Sequence, residues 1–223
     1  MKILVIGDVH GRNEWEKHVN ENQSDLVVFM GDYVDSFNKT NIEIFDNLKN
    51  IIKFKKLNKE SVILLSGNHD NQYMLAHPND KNNTYRCSGF KPEQHFDLYD
   101  LFNKNKDLFQ ACYQHHNHIF THAGITNDWF FNRLHGKTFE SIEKQINEAF
   151  QYKYEPLFDV GFRRGGSFNC GGIFWADKHD LIIDPLKGFK QVVGHTVQEN
   201  ITTIGDVTFC DTGDKMIPLT LDL

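Results

Sequence analysis

Short apolar runs alternate along the chain with longer stretches whose apolar positions recur every three or four residues. Ile3 to Ile6, Leu26 to Met30, Val62 to Leu65 and Ile119 to Thr121 are brief and nearly unbroken, the pattern of strands buried on both faces. Val192 and Val193, Ile201 to Ile204 and Val207 to Cys210 continue the series. Between them, Ile44, Phe45, Leu48, Ile51 and Ile52 recur at helical spacing, as do Leu98, Leu101, Phe102 and Phe109. Phe139, Ile142, Ile146, Ala149 and Phe150 mark a third helical face. Such stripes are core-facing helix surface. The alternation predicts crossover units in a layered α/β fold. The last segment, from Ile201 onward, breaks its strand runs with Gly-Asp turns and predicts antiparallel strands closing the sheet.

Two stretches escape this rhythm. Residues 77 to 95 are polar and irregular and predict a lid or loop insertion. Residues 161 to 172, GFRRGGSFNCGG, carry five glycines and two adjacent arginines. Neither a repeat nor a low-complexity linker interrupts the chain, so one domain over 1–223 is expected.

Composition narrows the function. A formal charge of −6 argues against a protein that lives on nucleic-acid backbone, which needs clustered Lys and Arg. The four cysteines are scattered without a CxxC pair, which fits a reduced compartment better than a disulfide framework or a thiolate zinc site. The opening MKILVIGD is too short for a signal-peptide core, and no apolar run reaches membrane-spanning length. A soluble, cytoplasmic protein with no membrane partner is expected. Walker A, GxGxxG and GxSxG motifs are missing, which sets aside P-loop nucleotide hydrolysis, dinucleotide redox chemistry and a serine nucleophile.

Chemistry collects at the ends of the predicted strands. The first is followed by GDVHGR, the second by GDYVDS, the third by GNHD, the fourth by THAG and the fifth by GHT. A lone Gly-Asp is usually a turn, and a lone histidine is usually packed or solvated. Eight of the twelve histidines lie outside these motifs and take that plain reading. Five coincident motifs do not, because the strand tips of an open parallel sheet converge on one edge. The donor set mixes carboxylates, imidazoles and an amide, which suits Mn, Fe, Zn or Co, with Mn placed first. It is also too large for one ion. Two ions ~3.5–4 Å apart sharing a carboxylate form a hydrolytic device.

Taken in order, GDVHG, GDYVD, GNHD, HAG and GHT resemble the calcineurin-like metallophosphoesterase superfamily, and most closely its phosphoprotein phosphatase branch with the small bacterial and phage-type enzymes. The resemblance spans residues 7 to about 213. It implies a four-layered α/β sandwich, two mixed β-sheets flanked by helices, with a two-metal centre at the sheet edge. It implies Asp8 and His10 on the first metal, Asp32 bridging, and Asn68, His122 and His195 on the second. His69 would be the general acid, with Asp35 bonded to it and favouring its protonated form.

The sequence departs from the branch in informative places. Its usual GDxVDRG reads GDYVDS here, so Ser36 stands where an arginine would grip phosphate. GNHE reads GNHD. Val197 stands where other branches carry a second histidine, which favours the phosphatase-like branch. No arginine lies between FWAD (174–177) and His195. Arg12, Arg86, Arg163 and Arg164 are the candidates to meet phosphate charge. The expected activity is hydrolysis of phosphate monoesters, on phosphoserine or phosphothreonine protein or small phosphoesters, by direct attack of a metal-bridging hydroxide. A dinucleoside polyphosphate pyrophosphohydrolase or a phosphodiesterase on the same site is the alternative. A scaffold without catalysis stands last, because the ligand set and His69 are intact.

Overall fold

The structure is a computed structural model that describes residues 1–223. Its contacts gather into two compact units, Met1–Phe109 with Pro218–Leu223, and Gln110–Ile217. Each holds one sheet, and both sheets are mixed, as the α/β expectation required.

In the first unit the chain runs β1 (Lys2–Ile6), α1 (Trp15–Glu21), β2 (Leu26–Phe29), α2 (Asn41–Leu57), β3 (Val62–Leu65), α3 (Asn68–Met74) and α4 (His95–Lys104), and β4 (Phe109–Gln110) stands at the boundary. Strands β1, β2 and β3 are parallel neighbours, so their carboxyl ends share one edge. Ile3, Leu4, Val5, Val28 and Phe29 are fully buried, which explains the unbroken apolar runs. Helix α2 starts in a capping box in which Thr40 and Glu43 each satisfy the other's backbone amide. Its Ile44, Leu48 and Ile51 are fully buried, each contributing roughly 1.5–3 kcal/mol.

The second unit runs β5 (Cys112–His115), β6 (His118–Thr121), α5 (Ile142–Gln151), α6 (Lys178–Ile183), β7 (Lys190–Val193), β8 (Thr202–Ile204) and β9 (Val207–Phe209). The sheet order is β5-β6-β7-β9-β8, with β6, β7 and β9 mutually parallel. Its main core joins Trp129, Phe130, Ile142, Ile146, Leu157, Ile173 and Phe174. Gln191 is buried within β7 and bonds both the amide and the carbonyl of Ile125 at 2.8 Å, tying that strand to the loop after β6.

Several sequence expectations are corrected. The motif-bearing strands belong to two sheets, three in one and two in the other, as the family resemblance implied and the reading as a single open sheet did not. The terminal strands divide likewise: β8 and β9 form the expected antiparallel hairpin, but the last strand, β10 (Leu219–Asp222), pairs antiparallel with β1. Phe109 lies in β4 and not on the α4 stripe, because α4 stops at Lys104. Phe139 precedes α5 and is 84% exposed. Helices α1, α3 and α6 and strand β5 are too short or too polar to have announced themselves by periodicity.

Candidate active site

In the first unit the loops after β1, β2 and β3 interlock. Gly31 has φ +103°, and a Cβ there would lie 2.6 Å from the amide nitrogen of Gly67. A Cβ on Gly67 would lie 2.1 Å from Oδ1 of Asp32. Glycine is therefore demanded by the close passage of two loops, not by a turn alone. The Asp70 carboxylate ties the same loops together. It accepts the backbone amides of Asp32 (2.8 Å), Tyr33 (2.9 Å) and Gly67 (2.8 Å). Burial and then the Asp32 charge raise the Asp70 pKa, against the pull of the Gly67 and Tyr33 amides. Nothing in the hydrophobic pattern points to this role; only the turn spacing GNHD, with a carboxylate at the third helical position, carries a hint of it.

The interlock sets the donors. One carboxylate oxygen each from Asp8 and Asp32 and a ring nitrogen of His10 lie within 4.8 Å of one another. Nδ1 of His10 faces the carbonyls of Val34 (3.0 Å) and Asp35 (2.7 Å), so it carries the proton. That leaves Nε2 as the lone-pair nitrogen, 3.7 Å from Oδ2 of Asp32. His10, Asp32 and Asp35 all have positive φ (44°, 50° and 58°). Non-glycine residues in this region are uncommon and collect where side chains must be aimed.

Asp35 lies beside His69. Nδ1 of His69 is 2.9 Å from Oδ2 of Asp35, and its backbone amide donates to Oδ1 of Asp32 at 2.9 Å. Burial lowers the His69 pKa, but the Asp32 charge, the Asp35 bond and Cys87 outweigh it, and the net direction is upward. Asp35 also accepts hydrogen bonds from Gln72 and from the Tyr73 hydroxyl. Asn68 opens α3 next to His69, with its side-chain amide 3.7 Å from the Cys87 sulfur.

In the second unit, parallel pairing of β6 and β7 brings His122 and His195 together. Gly194 donates its amide to the His122 carbonyl at 2.8 Å. Nε2 of His122 and Nδ1 of His195 then face each other at 3.2 Å. His195 has φ 61° and stands edge-on to Trp175, ring centroids 5.7 Å apart. Two imidazole nitrogens brought this close are donors that suit a borderline divalent ion.

The arginines separate by location. Arg12 donates to the Asp8 carbonyl at 2.8 Å. Arg164 pairs with Asp177 at 3.0 Å and donates to the Thr196 hydroxyl, one residue past His195. Arg163 is exposed, paired with Asp180 at 2.9 Å and set over the Phe162 ring. Arg86 is exposed over the Phe90 ring at 4.6 Å. Four of the five glycines in 161–172, all but Gly165, pack backbone on backbone. A Cβ on Gly166 would lie 1.9 Å from the Val160 carbonyl, and one on Gly171 2.1 Å from that of Trp175.

Clustered carboxylate and imidazole donors at strand ends, next to an imidazole held by a carboxylate, are the equipment of a hydrolase of charged esters. The chain belongs to the calcineurin-like phosphoesterase family, whose family model matches residues 1–208. It is a phosphoric ester hydrolase, and its family is metal-dependent. Among solved structures it is similar to a protein serine/threonine phosphatase from Saccharomyces cerevisiae described as having similarity to human phosphatase PP5. The TM-score is 0.58 at 14% identity, over 97% of this chain and 68% of that one. At that identity the likeness is one of fold. No curated protein matches the sequence.

Proposed function

We propose that the protein hydrolyses phosphate monoesters, on phosphoserine or phosphothreonine protein or on small phosphoesters, in a metal-dependent reaction. The observation that carries this reading is the pairing of a donor cluster (Asp8, His10 and Asp32) with an adjacent, carboxylate-held imidazole at His69. The donors fit divalent ions: His10 keeps a lone-pair nitrogen toward the carboxylates, and His122 and His195 turn ring nitrogens toward each other. Asp8, His10 and Asp32 would hold one ion. By the family resemblance, Asn68, His122 and His195 would hold a second, with Asp32 shared between the two. Divalent ions held by these residues, manganese first among the candidates, would supply an activated water and offset phosphoryl charge.

The chain's own residues do the rest. His69, bonded through Nδ1 to Asp35, presents Nε2 as the acid that protonates the leaving oxygen. Asp35 fixes the ring's tautomer and steadies its charge. Arg12 and Arg164 are the arginines we assign to the phosphate oxygens, since each is anchored next to a proposed ligand. Arg86 and Arg163 are exposed and are assigned to substrate outside the phosphate.

A substrate panel tests this reading. With Mn²⁺, the protein should turn over p-nitrophenyl phosphate and a phosphoserine or phosphothreonine peptide. Activity confined to a dinucleoside tetraphosphate or to bis-p-nitrophenyl phosphate would overturn it in favour of a pyrophosphohydrolase or phosphodiesterase. A cytoplasmic setting belongs to the same proposal. No helix is long and apolar enough to cross a membrane.

A further inference from the structure

The Asp35 carboxylate is buried and receives three side-chain donors at once. Nδ1–H of His69 reaches Oδ2 at 2.9 Å, the Gln72 amide reaches the same oxygen, and the Tyr73 hydroxyl reaches Oδ1 at 2.6 Å. Gln72 and Tyr73 are both fully buried on α3 and are themselves held by the polar segment that follows. The Cys87 amide donates to Oε1 of Gln72 at 3.0 Å, and the Asn83 side chain donates to the Gln72 carbonyl at 3.0 Å. The Lys91 amide donates to the Tyr73 hydroxyl oxygen at 2.8 Å. The Phe90 ring stacks on the Tyr73 ring, centroids 5.2 Å apart and planes 21° apart. Gly89 has φ +85° and passes so close to Asp35 that a Cβ would lie 3.3 Å from its side chain.

These bonds have a direction. Tyr73 accepts from Lys91 and donates to Asp35; Gln72 accepts from Cys87 and donates to Asp35. A carboxylate with three donors has one orientation, and that orientation holds His69 with its proton on Nδ1 and leaves Nε2 for the acid's role. Resting on the phosphoesterase reading of the site, we propose that Gln72 and Tyr73 are positioning residues for the acid His69, acting through Asp35, and that residues 83–91 clamp them in place. The polar stretch after α3 is then part of the acid's support. Its value to the enzyme lies in substrates whose leaving group needs a proton.

Tyr73→Phe keeps the ring that stacks on Phe90 and removes only the hydroxyl. Gln72→Met is the second variant. Two readouts on the full chain test the proposal. The first is the downfield imidazole Nδ1–H resonance of His69 in the Zn²⁺-supplemented protein, assigned by its loss in His69→Asn. It should be sharp in the wild type and shifted or broadened by exchange in both variants. The second compares kcat/KM on an alkyl phosphate and on p-nitrophenyl phosphate. Tyr73→Phe should lose about tenfold on the first, a fraction of what an acid contributes, and distinctly less on the second. In the His69→Asn background it should cost nothing further, because the two residues act as one unit. An unaltered resonance in both variants would overturn the proposal. So would equal losses on both substrates that persist without His69. A wild type inactive on every monoester would instead defeat the phosphatase reading, and the resonance would still decide the positioning role.

Discussion

Asp32 carries the most at the scale of single residues. Its side chain belongs to the donor cluster, its Oδ1 receives the His69 amide, and its own amide is held by Asp70. Asp32→Asn should abolish hydrolysis and reduce bound metal to one ion or none, read by elemental analysis beside activity. An active, fully loaded variant would remove Asp32 from the bridging position. His69→Asn should keep its metals but slow turnover of esters with poor leaving groups by about 10²–10⁴-fold, with a smaller loss on p-nitrophenyl phosphate. Equal losses on both would count against His69 as the acid. The metal-ligand residue types were legible in the sequence because each follows a strand and all but His122 sit directly beside a glycine. Asp70, Gln72 and Tyr73 were not, since the groups they hold in the loop after β2 lie 37 or 38 positions away along the chain and only folding pairs them. Trp175 lies in FWAD, the landmark that opens the arginine-free stretch before His195, but its packing against His195 could not be read there.

Loops set the geometry at the scale of elements. The strands were legible because burial on both faces leaves an apolar run; β5, with its Cys-Tyr-Gln-His sequence, is buried only at Cys112 and leaves none. The interlock between the loops after β2 and β3 depends on Gly67. Gly67→Ala would place a methyl group against both the side chain and the backbone nitrogen of Asp32, at 2.1 and 2.5 Å, with no flexible atom free to yield. We expect that variant to lose metal and activity together, whereas Gly165→Ala, strained only by its own φ of +84° and with nothing within 4 Å, should keep its metal. Metal retained by Gly67→Ala would show that the two loops tolerate separation. On α2, Thr40→Ala removes the capping-box hydroxyl and should lower stability by about 1 kcal/mol in urea unfolding. Because α2 packs on the Gly11 turn, where a Cβ would sit 2.7 Å from Ile44, fraying that begins at Thr40 would reach the loop carrying His10. Metal affinity should therefore fall slightly as well.

The division into two sheets, each in its own compact unit, was the part of the fold that the hydrophobic pattern could not announce at the scale of the whole molecule. Periodicity identifies an element but carries no record of which sheet it joins, and β10 returns to β1 from the far end of the chain. Stability against pH is a property at this scale. Burial lowers the pKa of His95, and Arg86 and His77 add to that, against the bond to the Ala76 carbonyl. The folded state therefore takes up this proton less readily than the unfolded chain. Its contribution to stability is complete above the usual histidine value of about 6.5 and declines as pH falls below it. His95→Gln, which can still donate to Ala76, should flatten the fall in stability between pH 7 and 5; an unchanged slope would remove His95 from the account. The central claim, a phosphoester hydrolase that needs the metal its donors are arranged to hold, is tested most directly by one measurement. It is the rate of p-nitrophenyl phosphate hydrolysis by purified protein stripped with a chelator and then restored with Mn²⁺. The stripped protein should show no turnover, and Mn²⁺ should restore it in full. Undiminished turnover after stripping, or none after restoration, would contradict the claim.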